Sequence, residues 1–449
     1  MKSDKKYKIS ILLNQISHYK PFFYLAINNL KFFIKNIEDI KSWIETEIFK
    51  NKFMDINHPY PPLLDPKFID YHKTPLEILW NINAPLPQNY AFLWLYSHGC
   101  GMLSLRDYFL AKTNLKIIDT YLFIANGGGG GEAKQRYLKI LEILLSNPSQ
   151  MYAIALSDTV YKNKEDRDKF FHLFSKDKLA ILCQVRDPIE LIRHILARKG
   201  RWDKTQLNLT KKQNFTLNDR FEDVFIDENH SYFNKNIRII NFPFLFVYAD
   251  FMKVFDKHKI FYLDLKDIQA SNIDLKLKSI SKDLNFKIIS DDKNSECIRA
   301  NYFNAHCMLW LPLFLKINDI TINFDFHHRK NYSEYLELYE FLMKKRNEFF
   351  GIYIHKNDFL RISSNQNAFR KLSKYLLDFI SKLNDRILLE NTKLLNINEV
   401  IQHLREHPQD RIYLKSILDK DTQHIKNTRM DIVKSWKYYA IFENMFKNF

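Results

Sequence analysis

Glycine is scarce in this chain, with nine in 449 residues, and seven of the nine fall between Gly99 and Gly131. Glycine tolerates positive φ and lets another group approach the backbone closely. A chain that avoids it elsewhere therefore marks that stretch as one where something comes near the main chain. Cysteine is scarcer still: four residues, at positions 100, 183, 297 and 307, with no Cys-x-x-Cys pair. No disulfide framework is implied in a chain of this length. No apolar run reaches the roughly 18 residues that a membrane-spanning helix needs, and the apolar segment Ile9 to Leu13 is too short for a signal peptide. These absences point to a reducing cytoplasm and leave contact with the inner face of a membrane open. No His-Glu-x-x-His or carboxylate–histidine cluster is present either, so no metal is expected.

Basic and aromatic residues are abundant. Lysine and arginine number 68 against 52 acidic residues, giving a net charge of +16, and aromatics make up 15%. The lysines are spread thinly alongside many Asn and Ile residues. No cluster resembles a nucleic-acid-binding motif, so no specific nucleic-acid partner is expected. With 46% hydrophobic residues the chain is folded rather than disordered. Its length allows two or three domains.

Eight of the thirteen prolines precede Gly99. Residues 1–88 read as a helical, then proline-rich arm laid over the core, with one amphipathic helix from about 28 to 50. Residues 89–290 alternate strand and helix signals, as a parallel sheet flanked by helices does. The strand-like runs are 91–96, 115–118, 121–125, 151–156, 179–185 and 259–265. Residues 291–449 read as a helical C-terminal region, with helices expected over 332–349, 367–389, 398–406 and 428–446. The overall class is α/β.

Two places in the α/β segment carry chemistry. The strand ending at Tyr96 runs into Ser97-His98-Gly99-Cys100-Gly101 and then a helix. A tight glycine turn at a helix N-terminus is a candidate anion cradle, because the first-turn amides point at the ligand. The strand 179–185 ends in Arg186-Asp187-Pro188, where Asp and Pro start a helix bearing Arg193 and His194. Ligands of open parallel sheets bind beyond the carboxyl ends of the strands, so Arg186 and the glycine turn belong to one candidate site. His98 is the candidate base or oxyanion donor. Glu132 is a second candidate base, opening a helix after the run Gly127–Gly131, and ordinary helix capping is the competing explanation. The run itself is either a second phosphate-approaching loop or a flexible linker. Arg201 and Trp202 are candidates to cap a ligand or anchor a loop.

The order of these parts over residues 91–290 resembles that of sulfotransferases. The stretch Leu182 to His194 is similar to that family's strand and helix that grip the donor's second phosphate, and Phe261 to Ile268 is similar to its later strand with an acidic ending. The resemblance implies a P-loop-type three-layer core in which Arg186 contacts the phosphate of a nucleotide-linked donor, phosphoadenosine phosphosulfate or another. The chain departs from the family where Gly99-Cys100-Gly101-Met102-Leu103 replaces its basic and hydroxyl-bearing phosphate loop, and where His194 replaces its serine. Ser97 to Gly101 and the tail Asp431 to Glu443 also look like a bacterial family of unknown function whose members are loosely labelled sugar transferases.

Together these readings lead to the expectation of a transferase in surface polysaccharide synthesis. It would move a group from a nucleotide donor to a glycan or sugar hydroxyl. The residues expected at the donor are Ser97, Gly99, Cys100, Gly101, Arg186, Arg193 and His194, with His98 and Glu132 as catalytic candidates. The alternatives are a nucleotide-sugar glycosyltransferase with acidic residues clustered at its pocket, and a non-catalytic binding protein whose glycine turn is packed against side chains.

Overall fold

The computed structural model describes residues 2–120, 132–157, 161, 163–174, 179–199, 210–225, 237, 246, 249, 252–255, 258–269, 271–289, 311–325, 334–344, 347, 350–392 and 395–447. The run Gly127–Gly131, the expected strand 121–125, and Arg201 and Trp202 lie outside these residues.

The apolar runs of the middle segment form strands β1 (Tyr90–Tyr96), β2 (Lys116–Asp119), β3 (Tyr152–Ser157) and β4 (Ala180–Val185). After β5 (Asn214–Thr216), which belongs elsewhere, comes β6 (Lys259–Asp264). β2, β3, β1, β4 and β6 pair in that order, all parallel. Every residue of β1, β3 and β4 is buried, as expected of central strands covered on both faces.

Alternate residues of β1 face two cores. Leu93 and Leu95 share a core with the helices Ala133–Ser146, Lys164–His172 and Pro188–Lys199. Phe92, Trp94 and Tyr96 share the other with the helices Met102–Lys112 and Ile273–Ser281. The helix after β1 thus lies on one face, and those after β3 and β4 lie on the other. β1 sits between β3 and β4, so the connections leaving neighbouring strands diverge at its carboxyl end. That divergence is the switch point at which open α/β sheets bind ligands.

The N-terminal arm closes over the first core. Leu12, Phe33, Trp43, Leu63 and Leu86 are buried in it. Tyr137 donates to the Ala84 carbonyl at 2.7 Å, and Trp43 to the Pro62 carbonyl at 3.1 Å. The single helix expected over 28–50 is broken into Leu30–Lys35, Ile37–Glu45 and Glu47–Phe49. Asn36 and Thr46 break it, because their side chains bond local backbone: Asn36 Nδ2 donates to the Phe32 carbonyl and Thr46 Oγ1 accepts from the Phe49 amide.

The C-terminal region opens with a second sheet, not with the expected helix over 332–349. β7 (Leu313–Ile317), β8 (Ile320–Asp325), β9 (Tyr335–Glu337) and β10 (Gly351–His355) join β5 in the order β5-β7-β8-β10-β9. Leu313 and Leu315 on one strand and Ile320, Ile322 and Phe324 on the next alternate with period 2 around Asn318-Asp319. Asn318 takes φ 52°, as a two-residue hairpin turn requires. The Gln366–Thr392 helix covers this sheet with Leu372, Leu376, Phe379, Ile380, Leu383 and Ile387. The helices Ile397–Glu406, Pro408–Asp421, Gln423–Thr428, Met430–Ser435 and Lys437–Asn444 then return to the first core. Among the described residues no helix is long and apolar enough to cross a membrane.

Phe379 is the hub of the second core. Its ring lies 4.8 Å from Phe215, 5.3 Å from Phe221 and 5.4 Å from Phe324. Phe379→Ala is expected to cost about 3–5 kcal/mol in urea unfolding. A loss under about 1 kcal/mol would refute the hub role.

Candidate functional site

The turn after β1 is built on two left-handed residues, Gly99 at φ 90° and Gly101 at φ 89°, where any side chain is strained. Each glycine also leaves room for a neighbour. A Cβ on Gly99 would meet His194 Cδ2 at 2.7 Å and Leu191 Cδ1 at 2.9 Å; one on Gly101 would meet Ile268 Cδ1 at 2.6 Å and Leu265 Cδ1 at 2.7 Å. On these sides the close approach signalled by the glycines is made by the protein's own side chains.

Two donors hold the turn's carbonyls. Gln184 Nε2 donates to Cys100 at 2.6 Å, while Gln184 Oε1 accepts from Trp94 Nε1 at 3.2 Å. Arg186 Nη1 donates to Gly99 at 2.8 Å. Gly101 caps the Met102–Lys112 helix and offers no side chain to its first-turn amides. Ser97 is 1% exposed, and among the described residues its hydroxyl has no hydrogen-bond partner. Cys100 is buried, and His98 is half-buried with its ring 6.5 Å from that of Tyr96.

Arg186 is buried at the carboxyl end of β4, with Nε 3.4 Å from Glu190 Oε2. One helix turn beyond Glu190, Arg193 is half-buried. Burial, and then the charge of Arg186, hold its pKa below the ordinary arginine value. The two guanidinium groups line a cleft of about 310 Å³ with Glu190, Leu395, Asn396, Ile397 and Tyr438. A neighbouring cleft of about 690 Å³ shares Asn396 and Tyr438 and adds Gln402, His403 and Arg405.

Asp187, next to Arg186, ties two of the elements around the cleft together. Its Oδ1 accepts from the Ile189 amide at 3.0 Å, which starts the Pro188–Lys199 helix. Its Oδ2 accepts from the amides of Tyr438 at 2.8 Å and Tyr439 at 3.2 Å, 251 and 252 residues away. Burial pushes the carboxyl up to about 6, against the pull of those three amides. Asp264, at the end of β6, accepts from Trp436 Nε1 at 2.6 Å and from the Lys266 amide at 3.0 Å, and burial raises its pKa as well. Two strand ends therefore grip residues 436–439.

The structure brings Ser97, Gly99, Cys100, Gly101, Arg186, Arg193 and His194 together at the ends of β1 and β4. Glu132 stands apart: it is exposed at the N-cap of the Ala133–Ser146 helix, which follows β2, and its side chain makes no cap bond. Sequence reasoning missed Gln184, Asn396 and Tyr438. Asn396 carried one local signal, the capping box Asn396–Glu399. Among the described residues no group of three His, Cys, Asp or Glu side chains is placed to hold a metal ion.

Residues 262–449 are similar to a family described as a protein of unknown function (DUF2972). No curated protein and no solved structure matches the chain. The matched segment begins within β6 and includes Asn396 and Tyr438. It therefore supplies one wall of the cleft, while the glycine turn, Arg186 and Arg193 precede it.

The Asp187 carboxyl favours its protonated form in the fold, so its contribution to stability falls as pH rises from about 4 to about 6. That loss is on the order of 2–3 kcal/mol. Asp187→Asn is expected to remove the slope. Denaturant midpoints of the two proteins at pH 4.5 and pH 7 check this; parallel pH dependence would contradict it.

Proposed function

We propose that this chain is a transferase with a sulfotransferase-like core. It moves a group from a nucleotide-linked donor to a glycan or sugar hydroxyl in surface polysaccharide synthesis, acting on the cytoplasmic side, at the inner face of the membrane. The observation that carries the reading is the position of Arg186. It stands at the sheet's switch point, bonds the glycine turn at 2.8 Å and lines a cleft with a second arginine. A pair of guanidinium groups with one half-exposed carboxylate between them favours a ligand bearing two or more negative charges, since each can take a phosphate oxygen pair bidentately.

In this reading Arg186 and Arg193 hold the donor's nucleotide phosphate. The uncapped amides of the Met102–Lys112 helix and the Ser97 hydroxyl face the group in transfer, where charge develops. The acceptor hydroxyl attacks that group and gives its proton to His98. The nucleotide phosphate leaves with the bonding pair. One observation favours a non-catalytic binding protein instead: Leu191, His194, Leu265 and Ile268 fill the space beside both glycines.

A thermal-shift screen of phosphoadenosine phosphate, uridine nucleotides and cytidine nucleotides separates these readings. Binding at a hundred times Kd stabilises by about 2.7 kcal/mol, which gives a clear shift. Phosphoadenosine phosphate is expected to give it, and Arg186→Ala and Arg193→Ala are each expected to abolish it. A shift with uridine or cytidine nucleotides alone would transfer the reading to nucleotide sugars. No shift with any nucleotide would leave the binding protein.

A further inference from the structure

Arg136 lies in the first turn of the Ala133–Ser146 helix and is 2% exposed. Its Nη1 donates to Thr120 Oγ1 at 3.0 Å. Thr120 directly follows β2, and its hydroxyl donates in turn to the Ala155 carbonyl of β3 at 3.0 Å. The guanidinium therefore sits at the carboxyl edge of the sheet, on the far side of β1 from Arg186. Its carbon lies 5.1 Å from the centroid of the Tyr161 ring.

The other two nitrogens, Nε and Nη2, are buried and among the described residues have no hydrogen-bond partner. They form one edge of the guanidinium, the edge that offers two parallel N–H groups to an oxyanion. Among the described residues Arg136 has no ion pair, whereas the buried guanidinium of Arg186 has Glu190. A guanidinium does not shed its proton to escape burial. Two further features mark this edge. The Tyr161 hydroxyl is buried, makes no hydrogen bond of ordinary geometry among the described residues, and feels the charge of the Arg136 guanidinium. Glu132, at the helix N-cap, makes no side-chain bond to the first-turn amides, the end of a helix that favours negative charge.

We propose that Arg136, with Thr120 and Tyr161 beside it, binds an oxyanion group of a small ligand, taken edge-on by Nε and Nη2. The group is either a carboxylate or a phosphate or sulfate, which share this chemistry. The site is separate from the Arg186–Arg193 cleft and does not depend on the nucleotide-donor reading.

Titration of the full-length protein with acetate, phosphate and sulfate at millimolar concentration tests the site, with chloride holding ionic strength constant and melting temperature as the readout. At least one anion is expected to raise the wild-type melting temperature by a few degrees in a saturable way. A response to acetate alone assigns a carboxylate, and a response to phosphate or sulfate assigns a tetrahedral group. Arg136→Met is expected to abolish the response and Arg186→Ala to retain it. If the Met variant does not fold, Arg136→Lys, which keeps the charge and loses the fork, should raise the half-saturating concentration about tenfold. No saturable response in the wild type, loss of the response in Arg186→Ala alone, or an unchanged midpoint in Arg136→Lys overturns the proposal.

Discussion

Asp187 turns one carboxylate oxygen to its own helix and the other to the amides of Tyr438 and Tyr439. The architecture around the cleft depends on this carboxyl. It fixes the start of the helix that carries Arg193, and it docks a C-terminal helix against the carboxyl end of β4. Asp264 repeats the arrangement one strand over, through Trp436. Burying a carboxylate costs several kcal/mol unless hydrogen bonds repay it. At Asp187 three backbone amides do so incompletely, and the raised pKa records the remainder. Bonds of this kind carry no side-chain specificity on the amide partner, so the identity of residues 438 and 439 is free to serve the cleft, where Tyr438 contributes its side chain.

The sheet divides its chemistry sharply. Its interior is hydrocarbon and aromatic on both faces, and polar groups collect at one edge. Asp119, Thr120, Ser157, Ser97, Arg186, Asp187 and Asp264, each at or next to a strand's carboxyl end, are all buried. A buried polar group without a partner costs about 1–3 kcal/mol, so most of these are bonded. Thr120 bonds Ala155, Asp119 accepts from Tyr96 at 2.9 Å, and Arg186 bonds Gly99. Among the described residues Ser97 Oγ is not bonded, and neither are two nitrogens of Arg136, which bonds Thr120. An unpartnered buried polar atom at the edge where this topology admits ligands calls for an explanation there.

The parts that were legible in the sequence share one property: their signal is local. β1, β3, β4 and β6 stand out because a strand buried on both faces is an unbroken apolar run bounded by turn residues. Asp187-Pro188 announces a helix start, and Gly99 and Gly101 announce positive φ. What the glycines made room for was not legible, since Leu191, His194, Leu265 and Ile268 lie 90 to 170 residues further on. Asn396 and Tyr438 were hidden for the same reason. The second sheet was lost to a different competition. Its hairpin alternates over only five and six residues, and the long helical pattern of Gln366–Thr392 dominated the region. The broken N-terminal helix shows the reverse case, where a sound 3.6-residue periodicity was interrupted by Asn36 and Thr46 bonding their own backbone.

Electrostatics ties the edge together. Arg136 and Arg186 stand on opposite sides of β1, with β2, β3, β1 and β4 between them in order. Three inter-strand steps of about 4.8 Å separate the outer two strands, or roughly 14 Å. Both guanidinium groups are nearly enclosed, and their carboxylate compensation is unequal: Arg186 has Glu190 at 3.4 Å, and among the described residues Arg136 has none. Negative charge brought to this edge therefore relieves a strain already present in the fold. The relief is greatest on the Arg136 side, where nothing in the described chain supplies it, and smaller on the Arg186 side, where the native ion pair must first be shared.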